Sequence, residues 1–196
     1  MKLVDKNNVE IDYMNVEQHE WQLAQQYVKP SDCVLELGAR YGTVSVVVNK
    51  ILTNKDKMVC VEPDKSVWRS LEINREYNNC SFIILKGSIS KKSQKFYDCE
   101  YGSFTLNDEM GETSNFDLIK LQNTFGLQFN VLIADCEGCV CTLFNDYPEF
   151  VNQLTTIIFE ADGLNATKCN PQIVIEFLLH NGFKHEVVGL HNVFLK

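Results

Sequence analysis

Basic residues are in short supply: 18 Lys and Arg stand against 26 Asp and Glu, a formal net charge of −8 over 196 residues. A chain of that sign lacks the global attraction to phosphate backbones on which nucleic-acid binding normally rests. Its one basic cluster, Lys86, Lys91, Lys92 and Lys95, lies in a polar stretch and reads as a solvated loop. Long apolar runs are missing too. Val44 to Val48 is broken by Ser45 and is far shorter than the roughly 20 residues of a membrane span. MKLVDKNNVEID at the N-terminus holds no apolar segment of signal-peptide length, so a cytoplasmic protein without membrane association is expected. There are four prolines, never adjacent, and no Pro/Gly-rich linker, repeat or low-complexity tract, which leaves one domain with a sizeable core. Eight cysteines are present, but the chain is larger than those that need a disulfide scaffold. Cys33, Cys60 and Cys136 sit inside apolar runs, where a thiol behaves as a small hydrophobe, and the cysteines are read as reduced.

Short apolar runs alternate with helical patterns. VEQHEWQLAQQYV (16–28) places Val16, Leu23, Ala24 and Tyr27 on one helical face, and KPSD ends it. Buried strands are expected at 32–37, 58–64, 81–87, 128–138 and 154–163, with helices at 42–53, 65–77, 113–125 and 171–181 and a short helix and loop at 139–153. The valines of 42–53 favour a strand by propensity, yet a strand, glycine turn and helix explain the flanking residues better. Residues 88–112 are polar with several aromatics and suit a hairpin or a mobile lid, and 183–196 an antiparallel strand pair. Strands alternating with helices imply a mostly parallel seven-stranded sheet with an antiparallel edge strand and helices on both faces. Ligands in such sheets bind at the carboxyl ends of the strands. Glu36, Glu62, Gly87/Ser88, Asp135 and Glu160 all fall there.

The stretch CVLELGARYG (33–42) decides which ligand is expected. A dinucleotide fingerprint starting at Gly38 requires glycines where Arg40 and Thr43 stand, and no Gly-Lys-Ser/Thr of a P-loop follows. Glu36 repels phosphate but suits a ligand carrying an ammonium and a sulfonium, which is S-adenosylmethionine. Glu62 is placed to accept both hydroxyls of a ribose. VLELGARYGTVS, VCVEPD, LIADCEG and IIFEADG together resemble the class I methyltransferases, and the last pair resembles the FkbM-type O-methyltransferases.

That resemblance covers about residues 32–163 and implies a single Rossmann-like methyltransferase domain at 31–196. Residues 1–30 then form an N-terminal helical cap, and about 88–112 a variable insertion. It implies a donor site at Glu36, Gly38, Ala39, Arg40, Gly42, Glu62 and Pro63, with Ser88 at the adenine or simply capping its loop. Asp135 and Glu137 would orient or deprotonate an acceptor hydroxyl; alternatively Asp135 caps the next helix. Asp135, Glu160 and Asp162 are a minor candidate for a divalent cation. Cys136, Cys139 and Cys141 contain one C-x-x-C without a second pair and read as core packing rather than a zinc or redox site. His19 reads as a surface residue, and His180, His185 and His191 as structural or exposed. The expected activity is O-methylation of a small-molecule or saccharide hydroxyl. The rivals are a nucleic-acid methyltransferase, weakened by acidity and by the absence of an Asp/Asn-Pro-Pro-aromatic motif, and a non-catalytic binding subunit of the same fold.

Overall fold

The computed structural model describes residues 1–99, 103–161 and 169–196. Its central sheet has seven strands in the order β10-β11-β9-β8-β1-β2-β3. These are β1 (Val34–Leu37), β2 (Met58–Glu62), β3 (Ile83–Lys86), β8 (Val131–Ala134), β9 (Thr156–Glu160), β10 (Lys184–Val188) and β11 (His191–Leu195). All neighbouring pairs from β3 to β9 are parallel, whereas β11 runs antiparallel between β9 and the edge strand β10. Within the 88–112 segment the described residues hold an antiparallel strand pair, the hairpin. Its strands β5 (Gln94–Tyr97) and β6 (Phe104–Asn107) pair antiparallel, and Tyr97 stacks on Phe104 at 5.3 Å. Beside it, the short β4 (Ser88–Ile89) pairs with β7 (Asn115–Phe116).

Helices cover both faces. α1 (Gln18–Tyr27), α2 (Thr43–Ile51) and α3 (Trp68–Tyr77) pack with Val34, Met58, Cys60, Val131, Ile133 and Ile158. On the other face α4 (Leu118–Phe125), α5 (Cys139–Asp146), the 3-10 turn Pro148–Asn152 and α6 (Pro171–His180) pack with Leu35, Leu37, Leu132, Ile157 and Phe159. Alternate residues of each strand serve opposite layers, so strands apolar throughout are what this architecture demands. The same burial overrides β-propensity in α2, where every residue from Thr43 to Asn49 is buried.

Four cysteines depart from the reduced, core-packing reading. Cys136 is bonded to Cys139 and Cys141 to Cys169, with Cα separations of 5.5 and 5.6 Å, inside the span a disulfide bridges. The first pair closes a turn. The second joins residues 28 apart in sequence, a proximity no local pattern reveals. Cys33, Cys60, Cys80 and Cys99 carry free thiols.

The N-terminal residues dock by amide mimicry. Asn74 of α3 accepts from Val4 N–H (2.8 Å) and donates to Val4 C=O (2.8 Å) and to Tyr41 C=O in the glycine loop (2.9 Å). One turn later Asn78 pairs with both backbone groups of Lys2. Leu3, between them, is fully buried. Asn74→Ala is expected to destabilise the protein by about 2–3 kcal/mol, because buried backbone groups lose their partners. Asn78→Ala, at the pair with less burial, is expected to cost about 1 kcal/mol. Urea denaturation of both variants checks the order.

Candidate active site

A cavity of about 710 Å³ opens over the carboxyl ends of the central strands. It is built where strand order reverses direction, between β1 and β8, the position at which sheets of this kind bind ligands. Gly38, Glu62, Ser88, Asp135 and Glu160 line it from five successive connections. The hairpin contributes Gln94, Phe96 and Phe104 from the opposite side.

Gly38 begins the loop after β1. Its φ of +88° is left-handed, and a Cβ there would stand 1.8 Å from the carbonyl oxygen of Asp135, so glycine alone fits. Gly38 and Ala39 both donate to Val61 C=O, at 3.0 and 3.2 Å. Arg40, also left-handed at φ 43°, turns its N–H onto Glu62 Oε2 at 2.6 Å. The other oxygen of Glu62 accepts from Asp64 N–H at 2.7 Å. Burial pushes the Glu62 carboxyl up to about 7 against the opposing pull of these two bonds. Each oxygen is thereby fixed in place and keeps a second lone pair. Pro63 and Ser88 complete this side; Ser88 Oγ donates to Asn115 Oδ1 at 2.9 Å.

Glu36 does not join them. It faces the α1–α2 layer, 2 % exposed, and accepts from Ser45 Oγ (2.6 Å) and Cys60 Sγ (3.0 Å). The alternation of β1 explains this: Leu35 and Leu37 serve one layer, Val34 and Glu36 the other. Burial raises the Glu36 carboxyl to about 7, partly offset by those two bonds. Ala39 and Gly42 shape the loop without lining the cavity. Gly42, at φ +81°, is instead the N-cap of α2.

Asp135 follows β8 directly, its N–H held by Leu37 C=O at 3.1 Å. It does not occupy the capping position of the next helix; the N-cap of α5 is Gly138. Glu137, at φ 47°, and Cys136 and Cys139 line the cavity beside it. Glu160 lines it as well, whereas Asp162 lies outside the described residues. Among the described residues no group of three or more His, Cys, Asp or Glu is arranged to hold a metal ion.

Two acids were not foreseen. Glu17, N-cap of α1, lines the cavity, and its carboxyl is pushed up to about 7 by burial and then by the charge of Asp135. Glu20, 4 % exposed, is raised well above the ordinary range by burial, then by the charges of Asp135, Glu17, Glu36 and Glu160. Their signal was an acid on the apolar face of α1, one turn before Leu23 and Ala24. His19 is exposed and lies outside the lining.

No protein-family model and no curated protein matches the chain. Solved structures do. A precorrin-6y C5,15-methyltransferase from Geobacter metallireducens superposes with a TM-score of 0.61 at 11 % identity, covering 95 % of this chain and 93 % of that one. An O-methyltransferase from Bacillus cereus, solved with S-adenosylhomocysteine, gives 0.54 at 14 % identity over 93 % and 83 % of the two chains. Aeropyrum pernix fibrillarin, with natively bound S-adenosylmethionine, gives 0.52 at 15 % identity over 94 % and 76 %. The chain has the Rossmann-like methyltransferase fold. At these identities the likeness is one of architecture. No helix among the described residues is long and apolar enough to cross a membrane.

Glu17, Glu36 and Glu62 are each moved from 4.5 to about 7 in the folded protein. A carboxyl raised by folding contributes stability that is full below about pH 4.5 and is lost as pH rises towards 7. The thermal midpoint of the ligand-free protein is therefore expected to fall between about pH 5 and about pH 8. Glu17→Gln, which removes one of the three ionisations, should make that fall shallower in calorimetric scans.

Proposed function

We propose that the protein is an S-adenosylmethionine-dependent methyltransferase of the FkbM type that methylates a hydroxyl of a small molecule or saccharide. The observation that carries this reading is the convergence of the Gly38 turn, the anchored Glu62 carboxylate and the acid pair Asp135 and Glu160 on one cavity at the switch point. The residues fit the donor. Glu62 offers two oriented acceptors for the vicinal hydroxyls of a ribose, with Ser88 and Pro63 beside it. The acids Glu17, Asp135 and Glu160 suit a ligand with two positive charges. When bound, S-adenosylmethionine supplies a methyl group on a sulfonium, ready for in-line displacement.

The chain's own part is then to align and to move a proton. Positioning an acceptor oxygen in line accounts for most of the acceleration such a reaction needs. Asp135 takes the hydroxyl proton as the oxygen attacks, and Glu137, on the same turn, orients the hydroxyl. The hairpin residues Phe96 and Phe104 wall the acceptor side. An acid-lined cavity repels a polyanionic acceptor, which favours small molecules over RNA or DNA.

Calorimetry with S-adenosylhomocysteine should give binding, and NAD and ATP none. Glu62→Ala should weaken that affinity ten- to a hundredfold, the worth of about 1.5–3 kcal/mol for a hydrogen bond to a charged group. NAD binding alone would sink the proposal.

With an acceptor found by screening against labelled donor, Asp135→Asn should lower turnover by about 10²–10⁴ while leaving donor affinity nearly unchanged. Wild-type turnover in that variant would move the base to Glu137. Donor binding without turnover on any acceptor would point to a non-catalytic binding subunit.

A further inference from the structure

The mechanism above uses neither of the two cysteines bonded to each other in the cavity wall, Cys136 and Cys139. Both are partly exposed. The other disulfide differs in placement: Cys169 is 4 % exposed within the core, and neither Cys141 nor Cys169 lines the cavity. One bond thus has both cysteines in the cavity wall, whereas the other lies outside the cavity with Cys141 partly exposed and Cys169 buried. Access governs thiol–disulfide exchange, because an attacking thiolate must reach a sulfur.

The cavity-wall bond also spans a loop with mechanical consequences. It closes the turn containing Glu137 and Gly138, both left-handed, between β8 and α5. A non-glycine residue persists in that region only where its surroundings impose it. The same turn rests against the glycine loop: a Cβ on Gly38 would stand 3.3 Å from Cys136 Cβ. Opening the disulfide loosens a segment in direct contact with that loop. Asp135, Glu137 and Glu160 line the same cavity, so a neutral or cationic thiol enters more readily than an anionic one.

We propose that Cys136–Cys139 is a thiol–disulfide exchange site for a small neutral or cationic thiol or dithiol, and that its redox state sets how tightly the cavity holds its ligand. The second half rests on the donor reading given under Proposed function. A thiolate of the reductant attacks Sγ of one cysteine, and the S–S bond breaks. The other sulfur leaves as thiolate, takes a proton from water, and a mixed disulfide remains. A second thiol of the reductant attacks the mixed disulfide and releases the first protein sulfur, which is protonated in turn. Two electrons and two protons pass to the protein, and the reductant leaves as its own disulfide.

The test uses the full chain with its free thiols blocked by N-ethylmaleimide. Limiting dithiothreitol is added, samples are quenched with iodoacetamide, and each cysteine is followed by peptide mass spectrometry. Cys136 and Cys139 should label about tenfold faster than Cys141 and Cys169; equal or slower labelling overturns the exchange site. With each rate divided by that thiol's rate on a small uncharged disulfide under the same conditions, cysteamine should open the bond faster than thioglycolate, and equal or reversed normalised rates overturn the charge preference. S-adenosylhomocysteine affinity, measured calorimetrically, should differ about fivefold or more between the oxidised and reduced protein. The variant Cys136→Ser/Cys139→Ser should show the reduced-form affinity under both conditions. Equal affinity of the two redox forms overturns the control. Absence of binding by either form overturns the donor reading and the control with it, while the labelling rates still decide the exchange.

Discussion

The close approach of two strand ends governs this molecule. After β1 the chain turns at Gly38 so tightly against the Asp135 carbonyl that no side chain can be inserted. The same region holds β2 through Val61 C=O and β8 through Leu37 C=O. Strand β1 is therefore the hinge line of the sheet, with β2 and β3 on one side and β8 and β9 on the other. The cavity exists because the connections on the two sides leave β1 in opposite directions. The glycine turn leaves its floor thin enough for ligand and backbone to approach.

Placing so many carboxyls around one cavity works against folding. Burial first, and neighbouring acids after it, raise the carboxyls of Glu17, Glu36 and Glu62 to about 7, and Glu20 moves in the same direction. The fold offsets part of this by hydrogen bonds, from Arg40 and Asp64 amides to Glu62 and from Ser45 and Cys60 to Glu36. What is left is a site that holds protons near neutrality and gains most from a cation that replaces them. Such a cost to stability is a common property of binding sites and explains why acids, not apolar residues, occupy these strand ends.

The architecture was legible because both faces of the sheet are covered. Strands such as MVCVE and VLIA are then apolar throughout, and the glycine turn and strand-end acids stand out against them. The same uniformity hides which face a residue serves. Glu36 and Glu62 look alike in sequence, each the acid near the end of a buried strand. Glu36 is the third residue of β1 and points between helices; Glu62 is the last of β2 and reaches the cavity. Glu17 and Glu20 were missed because acids on a short N-terminal helix ordinarily face water. The disulfides were missed because a cysteine in an apolar run has no signature that distinguishes a bonded sulfur from a packed one. Residues 88–112 left a hairpin and a mobile lid both open, since their polarity carries no period; the pairing of β5 with β6 is a tertiary fact that no local pattern announces.

That hairpin is fastened to α5 through Asp146, at the far end of the helix. Asp146 accepts from Ser90 Oγ and from Lys91 N–H, both at 2.8 Å, at the base of the hairpin. At its near end α5 begins with Cys139 in the cavity wall. Within the hairpin Gln94, 1 % exposed, donates to Asn107 across the two strands and to Ser90, which returns the connection to Asp146. The turn carrying Asp135, helix α5 and the wall formed by Phe96 and Phe104 therefore make one contiguous path of bonded contacts. An eight-residue helix is stiff over its length of about 12 Å. A rotation at the Cys136–Cys139 turn thus has a direct route to the hairpin wall. The turn that carries Asp135 and the wall of Phe96 and Phe104 are thereby joined through this one helix.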